Sequence, residues 1–227
     1  MVNDLKLFLS AILIFLFGLS SQGSVKETRI PLQKKLWQEL KYSSLPANQV
    51  KEVEDSLEIT ADKSGSPLIF PLTRPQRVER LQFKASVEGD LNLKEGRQGE
   101  SGYDDFLLRV GLVFAGKKKL GFWQRQVAAK WALKLFSLAP KGQGVDHILF
   151  FNVYSDPRLK GQSRVHPDSR GLINERFVVE KPQDGEIQVN TPVDVDRDVL
   201  AVWVGVDADD TKSKFKVRLK EILLKGE

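Results

Sequence analysis

Cysteine is absent from this 227-residue sequence, methionine occurs only as Met1, and the only histidines are His147 and His166. Without a thiol there can be no disulfide, cysteine nucleophile or cysteine-ligated metal centre. Two imidazoles cannot form a three-histidine metal site, and neither lies in a metalloprotease or nucleophile motif. We expect both histidines to be solvated loop residues. Function must therefore rest on carboxylates, Lys and Arg, and aromatic rings.

The charge balance is only mildly basic. The chain has 35 Lys and Arg residues against 30 Asp and Glu, a formal net charge of +5, with 41% hydrophobic and 29% charged residues. This is the composition of an ordinary globular protein. The basic residues are dispersed along the chain, which argues against nucleic acid as a partner.

The N-terminal segment has the pattern of a signal peptide. Residues 7–19 are apolar except for Ser10, follow Lys6, and precede the small residues Ser21 and Gly23. This apolar run is shorter than the about 20 residues that span a bilayer. We predict a cleaved signal peptide over residues 1–23, a single domain over residues 24–227, and export to the periplasm or the extracellular space.

The rest of the sequence is dominated by short strand patterns. Residues 81–88 alternate strictly between apolar and polar side chains, as a strand with one buried face does. Shorter apolar or alternating runs separated by turn formers cover residues 57–61, 106–114, 148–154, 177–179, 200–206 and 215–220. Strands at this spacing predict a mainly β jelly-roll or galactose-binding-like sandwich.

One segment, residues 122–139, has helical periodicity instead. Trp123, Val127, Trp131 and Leu135 recur every four residues, which predicts one helical insertion in the sandwich. Its basic residues allow it to lie on an anionic membrane surface or in a partner groove. The alternative is that Trp123 and Trp131 pack on the sheet.

Two polar features stand out among the strands. Arg109 lies within an apolar strand and needs an acidic partner such as Asp104, Asp105 or a residue on a neighbouring strand, unless it faces an anionic ligand. Asp207, Asp209 and Thr211 follow the strand at residues 200–206. They are typical of a turn, but they could also bind Ca²⁺ or sugar hydroxyls.

The last strand pattern places four cations on one face. We expect these to mark an edge strand, where lysines prevent sheet-to-sheet pairing, or to meet an anionic partner. The four residues are Lys214, Lys216, Arg218 and Lys220.

Several motifs occur in the order found in a known family. They are Asp104-Asp105-Phe106 with Arg109-Val110, then Asn152-Val153-Tyr154, Arg176 to Glu180, and Asp207 with Asp209-Asp210-Thr211. On these motifs the chain resembles, as a divergent member, the bacterial exported family known as domain of unknown function 3047. The resemblance covers roughly residues 35–225.

The resemblance implies a jelly-roll sandwich like those of carbohydrate-binding modules, and no reaction. It also groups six residues that are either paired with one another or share a site. These are Asp104, Asp105, Arg109, Asp207, Asp209 and Thr211.

Three functional hypotheses remain open. The first is a non-catalytic exported sandwich that binds a glycan or another cell-envelope component, with Tyr154, Trp203, Asp207 and Asp209 as exposed candidates. The second is a polysaccharide hydrolase that uses two carboxylates from among Asp207, Asp209 and Glu175. The third is a structural protein bound to the membrane surface through residues 122–139. No cofactor is expected, and Ca²⁺ at Asp207 and Asp209 is the alternative to a turn.

Overall fold

Two β-sheets that pack face to face form the main body of the protein. The computed structural model describes residues 26–94 and 96–226, so the predicted signal segment, residues 1–23, lies outside the described residues. The strands in these ranges are β1 (Lys26–Arg29), β2 (Gln38–Glu39), β3 (Gln49–Val53), β4 (Ser56–Asp62), β5 (Leu68–Arg77), β6 (Arg80–Asp90), β7 (Leu108–Gly116), β8 (Gly144–Tyr154), β9 (Ser163–Val165), β10 (Ile173–Glu180), β11 (Glu186–Pro192), β12 (Asp198–Gly205) and β13 (Lys214–Gly226).

The chain crosses repeatedly from one sheet to the other. The six-stranded sheet has the order β11-β6-β13-β4-β3, and β1 also pairs with β13. The seven-stranded sheet has the order β2-β5-β12-β7-β8-β10-β9, in which only β8 and β10 run parallel among the described strands. This architecture confirms the predicted mainly β jelly-roll sandwich.

Alternating side chains build the core between the sheets. In β6, Leu81, Phe83, Ala85 and Val87 face inward and are buried. The inward residues of β7, from Leu108 to Phe114, oppose them from the other sheet. Because successive side chains of a strand point to opposite faces, the residues between these inward positions of β7 lie on the outer face of the seven-stranded sheet.

The predicted edge position of the last strand is wrong. β13 lies inside the six-stranded sheet, between β6 and β4. Its outward cations are matched by carboxylates on neighbouring strands. Lys214 Nζ lies 2.8 Å from Asp62 Oδ2, and Lys220 Nζ lies 2.7 Å from Glu186 Oε2. Lys216 and Arg218 both approach Glu58. The cations therefore stabilise cross-strand pairs instead of protecting an edge.

The helical insertion is present between β7 and β8, but it is two short helices instead of one. They are α1 (Phe122–Val127) and α2 (Lys130–Ser137), separated by Ala128 and Ala129 in extended conformations. Of the two, α2 buries Ala132 and Leu135 against the outer face of the seven-stranded sheet, whereas α1 buries none of its residues. Within residues 26–94 and 96–226, no helix has the length and apolar character needed to cross a membrane.

Candidate functional site

A row of polar side chains crosses the outer face of the seven-stranded sheet. Arg109 on β7 is in register with Asn152 on β8, and Glu175 on β10 is in register with Arg164 on β9. Arg109 and Asn152 are each flanked by apolar residues in their strands, whereas Glu175 and Arg164 each have a polar neighbour in theirs. Their positions on adjacent strands bring together groups that are far apart in the sequence.

Glu175 is the centre of this row. Its side chain has no exposed surface. Its Oε1 lies 3.0 Å from Arg109 Nη1 and accepts from Asn152 Nδ2 at 2.9 Å, while its Oε2 accepts from Arg164 Nε at 2.6 Å. Three donors thus satisfy a buried carboxylate, as a charge removed from water requires.

Asp104 closes the network from the loop before β7. Its carboxylate binds the Arg164 guanidinium, and its Oδ2 lies 2.8 Å from His166 Nε2. Its backbone carbonyl accepts from Arg109. Burial alone would raise the pKa of Asp104, but His166, Arg109 and Arg164 outweigh burial and lower the pKa to about 2. The carboxylate is therefore ionised whenever the protein is folded near neutral pH.

Glycine at position 99 makes room for this arrangement. Its φ of +91° lies in a region that residues with a side chain rarely adopt, and a Cβ there would lie 2.9 Å from Arg164 Nη1. The missing side chain allows the Arg164 guanidinium to reach both Asp104 and the backbone carbonyl of Gly99.

Asp105 has a different role from Asp104. Its Oδ2 accepts hydrogen bonds from the backbone N–H and the Oγ1 of Thr211, both at 2.6 Å. Asp105 and Thr211 are buried. The pair fixes the turn at residues 209–212 that leads into the last strand, so the predicted turn over residues 207–211 is present in its second half.

Asp207 lies before that turn, in an isolated β-bridge with Gly65, at the edge of the network. Its Oδ2 lies 3.1 Å from Arg109 Nε, a nitrogen that has no hydrogen-bond partner among the described residues. Burial raises the pKa of Asp207 to about 7, and Asp105 and Asp209 act in the same direction against the attraction of Arg109. Asp207 therefore changes its charge near neutral pH.

A pocket of about 220 Å³ opens beside Arg109 and Asp207. Its apolar walls are formed largely by four aromatic side chains, and its polar end combines Arg109, His166 and Asp207. Gly205 also lines the pocket. Gly111, in register with Phe150, leaves space for the Phe150 ring, which would be 2.6 Å from a Cβ at that position. The four aromatic residues are Tyr42, Trp131, Phe150 and Trp203.

The sequence-predicted residues divide into three groups. Arg109, Trp203 and Asp207 line the pocket. Asp104 contacts the pocket only through its bond to His166, and Asp105 with Thr211 fixes the adjacent turn. Asp209 is half-buried close to Gly65, and it is not among the residues that line the pocket.

The predicted exposure of two aromatic candidates is wrong. Tyr154 is 3% exposed and packs in a separate cluster with Phe106 and with Phe177 of the neighbouring strand β10. Trp203 is 4% exposed, but one edge of it borders the pocket. The expectation of a solvated His166 is also wrong, since its side chain is 18% exposed and bonded to Asp104.

Three functional residues were missed from the sequence. Tyr42 enters the pocket from the segment before β3, while Arg164 and His166 come from the short strand β9 and the loop after it. Burial raises the pKa of Tyr42, as do Asp207 and Asp209. No spacing in the sequence relates these positions to Arg109, because only the sheet order brings them together.

The acidic turn does not have the form of a metal site. In the part of the chain that the structure describes, no group of three or more His, Asp or Glu side chains has an arrangement able to hold a metal ion. Asp207 instead faces a guanidinium, and Asp105 is occupied by Thr211. The alternative of a Ca²⁺ site at Asp207 and Asp209 therefore has no support among the described residues.

Comparisons with known proteins give a broad likeness only. No family model and no curated protein matches the sequence, so the resemblance to domain of unknown function 3047 stays a prediction. Similar solved structures include a carbohydrate-binding module of family 29, with a TM-score of 0.38, 10% identity, and 88% of each chain covered.

A variant of such a module complexed with mannohexaose has a TM-score of 0.38 and 10% identity, over 88% of this chain and 92% of that chain. A second variant of the module has a TM-score of 0.38 and 9% identity, again over 88% of this chain and 92% of that chain. At these values the likeness carries no functional argument.

Proposed function

We propose that this protein is a non-catalytic carbohydrate-binding β-sandwich whose ligand site is the pocket between Trp131 and Trp203. The observation that carries the proposal is the pairing of aromatic walls with a polar end at Arg109, His166 and Asp207. Aromatic rings suit the apolar C–H faces of a sugar ring, and a few fixed polar groups orient its hydroxyls.

The charges of the site favour a neutral ligand. Arg109 and Arg164 are already matched by Asp104 and Glu175, and Asp207 adds a further acidic group. An anionic ligand would have to displace one of these partners, which would leave a buried charge uncompensated. Sugar hydroxyls both donate and accept, so they can bond to Asp207 and His166 without that penalty.

The size of the pocket favours a short ligand. Its volume of about 220 Å³ is smaller than the roughly 300–1,000 Å³ of sites for drug-sized molecules. A single sugar ring, such as the end of a glycan chain, is the ligand that this volume accommodates. A long polysaccharide would need an open groove instead.

We also propose that the protein is exported and that its ligand belongs to the cell envelope. This rests on the apolar run at residues 7–19 with the small residues Ser21 and Gly23 behind it. The mass of the protein recovered from the periplasmic or extracellular fraction tests it, since cleavage after Gly23 would leave Ser24 as the first residue.

A polysaccharide hydrolase is the second candidate, and the pKa of Asp207 favours it. A carboxyl group with a pKa of about 7 retains its proton near neutral pH, as a general acid must. However, Glu175 is fully buried and bonded to two arginines, so it cannot contact a substrate. Asp209 would have to be the second carboxylate, and it does not line the pocket.

A glycan array followed by titration calorimetry tests the proposed function. We expect binding of a neutral terminal sugar, and we expect Trp131→Ala to weaken it at least roughly tenfold through the loss of an aromatic wall. Trp123→Ala is the matched control, because Trp123 is exposed outside the pocket. Asp207→Asn removes the carboxyl group but retains a hydrogen-bonding side chain, so its affinity shows whether binding depends on the acidic group at the polar end of the pocket.

Three results would contradict the proposal. They are no glycan bound by the wild-type protein, equal affinity for the wild type and Trp131→Ala, and release of new reducing ends from the bound glycan. Release of reducing ends would favour the hydrolase. If Asp207→Asn no longer released them, Asp207 would be identified as the general acid.

A further inference from the structure

The insertion between β7 and β8 carries charge of one sign only. Residues 116–145 contain seven Lys and Arg residues and no Asp or Glu. Lys118 lies near Asp146 at the start of β8, 3.8 Å from its carboxylate. Lys117, Arg125 and Lys130 are exposed. Their charges therefore face solvent around the two short helices.

Large apolar side chains project from the same insertion. In α1, Phe122, Trp123 and Val127 are 69%, 80% and 87% exposed. The Phe122 and Trp123 rings contact each other edge to face, with centroids 5.2 Å apart. Exposed tryptophan and phenylalanine within one short helix form a contiguous apolar tip, which requires an explanation in a way that scattered surface residues do not.

The insertion is attached to the body of the protein through α2 and Lys118. Leu135 and Ala132 of α2 are buried on the sheet, and Lys118 exchanges two backbone hydrogen bonds with Val145. The helix is interrupted at Ala128 and Ala129, and α1, on the other side of the break from α2, buries none of its residues. A cavity of about 710 Å³ separates the insertion from residues 168–172. The apolar tip is therefore not a poorly packed part of the core.

We propose that α1 and the cations around it form a docking surface for an anionic lipid bilayer. Tryptophan and phenylalanine are suited to the boundary between headgroups and acyl chains, and Lys or Arg nearby are attracted to anionic headgroups. Residues 116–145 themselves contain no carboxylate that would repel such headgroups. This surface lies outside the sugar pocket, so the two proposals are independent.

Flotation with vesicles tests this directly. We expect the purified protein to bind vesicles of phosphatidylcholine that contain about one third phosphatidylglycerol, and to bind pure phosphatidylcholine at least roughly tenfold more weakly. Binding should weaken as salt is raised, because salt screens the headgroup attraction. Trp123 is the only strongly exposed tryptophan in the described chain, so its fluorescence should shift to shorter wavelength on binding.

Variants separate the two components of the surface. Phe122→Ala with Trp123→Ala should strongly reduce flotation with the anionic vesicles, because the apolar side chains of the surface are lost. Lys117→Gln with Arg125→Gln and Lys130→Gln should lower affinity for the anionic vesicles by about 100-fold. The matched charge control is Lys35→Gln with Lys51→Gln and Lys160→Gln, which removes three exposed cations elsewhere.

The control should bind with no more than a small loss. The proposal is overturned by failure to bind anionic vesicles, by equal binding to neutral vesicles, or by equal losses in the two triple variants. Circular dichroism of each variant checks that it is folded.

Discussion

Glu175 connects most of the buried charges on the outer face of the seven-stranded sheet. It satisfies Arg109 and Arg164 at once, and Asn152 supplies a third hydrogen bond. A network of this kind costs desolvation energy, so its value lies less in stability than in the fixed geometry it imposes. The fixed position of the Arg109 guanidinium at the pocket follows from it.

Removal of the Glu175 charge should therefore be severely destabilising. We expect Glu175→Gln to lower the free energy of unfolding by about 3–5 kcal/mol, because the fully buried partner that Arg109 and Arg164 share loses its charge. Urea unfolding measures this. The control is Asp196→Asn, which removes a 95% exposed partner of Arg77 and should leave the unfolding midpoint unchanged. An equal loss of unfolding free energy in Glu175→Gln and Asp196→Asn would contradict a stabilising role for Glu175 in the network.

Asp207 makes stability depend on pH. Its ordinary pKa of 3.8 in the unfolded chain rises to about 7 on folding. The native state thus holds a proton that the unfolded state releases, so this contribution is complete below about pH 4 and is lost as the pH rises through about 7. Asp104 acts in the opposite sense, since its lowered pKa of about 2 removes stability only as the pH falls from about 4 to about 2.

The variant Asp207→Asn isolates this effect, since its side chain stays neutral. From pH 5 to pH 8, we expect the variant to gain about 3 kcal/mol of unfolding free energy relative to the wild type, at about 1.4 kcal/mol per pKa unit. Urea titrations at both pH values measure it. Titration of His147 is common to both proteins and cancels in the difference. An equal change of unfolding free energy between pH 5 and pH 8 in the variant and the wild type would show that folding does not raise the pKa of Asp207.

The sequence predicted part of this residue-level chemistry. Arg109 within an apolar strand required an acidic partner, and the structure supplies three, namely Asp104, Glu175 and Asp207. Glu175 could not be selected as the central one, because β8 lies between its strand and β7. The contributions of Arg164 and His166 depend on a three-residue strand, β9, which no sequence periodicity indicates.

At the level of elements, the insertion shows how periodicity can mislead. Trp123, Val127, Trp131 and Leu135 fit one helical stripe, but the helix is interrupted at two alanines. Only the second half of the stripe faces the sheet. Alanine favours helix, so no local signal marked the break. In the structure, α2 packs against the sheet and α1 is exposed to solvent.

This division predicts opposite mutational effects within one insertion. Leu135→Ala should lower the free energy of unfolding by about 2–5 kcal/mol, because the Leu135 side chain is fully buried. Trp123→Ala should change it by no more than about 0.5 kcal/mol, since Trp123 is exposed. Chemical denaturation of both variants measures this. A large loss in Trp123→Ala would mean that α1 packs against the body of the protein.

The strands were predicted more reliably than their order. The alternating patterns of β4, β6 and β13 appear in the structure at the expected positions. The position of β13 within its sheet was missed, because cations on one face are compatible with an edge strand and with a central strand whose neighbours carry carboxylates. Pairing between strands is long-range information that a single strand does not contain.

For the whole molecule, the two faces of the seven-stranded sheet have separate roles. Its inner face builds the core with the six-stranded sheet. Its outer face is covered partly by α2, and the uncovered part forms the pocket and the ion-pair network. The sequence predicted a sandwich with an insertion, but the pocket could not be predicted, because it depends on how far α2 covers the sheet and on where Tyr42 enters.

The most direct test of the pocket uses the four tryptophan indole signals in a ¹H–¹⁵N NMR titration with a sugar selected on the array. Trp131 and Trp203 line the pocket, while Trp37 is buried elsewhere in the core and Trp123 is exposed on α1. We predict saturable shifts of the Trp131 and Trp203 signals only. Shifts of Trp123 or Trp37 instead, or no saturable shift of any indole, would contradict the proposed site.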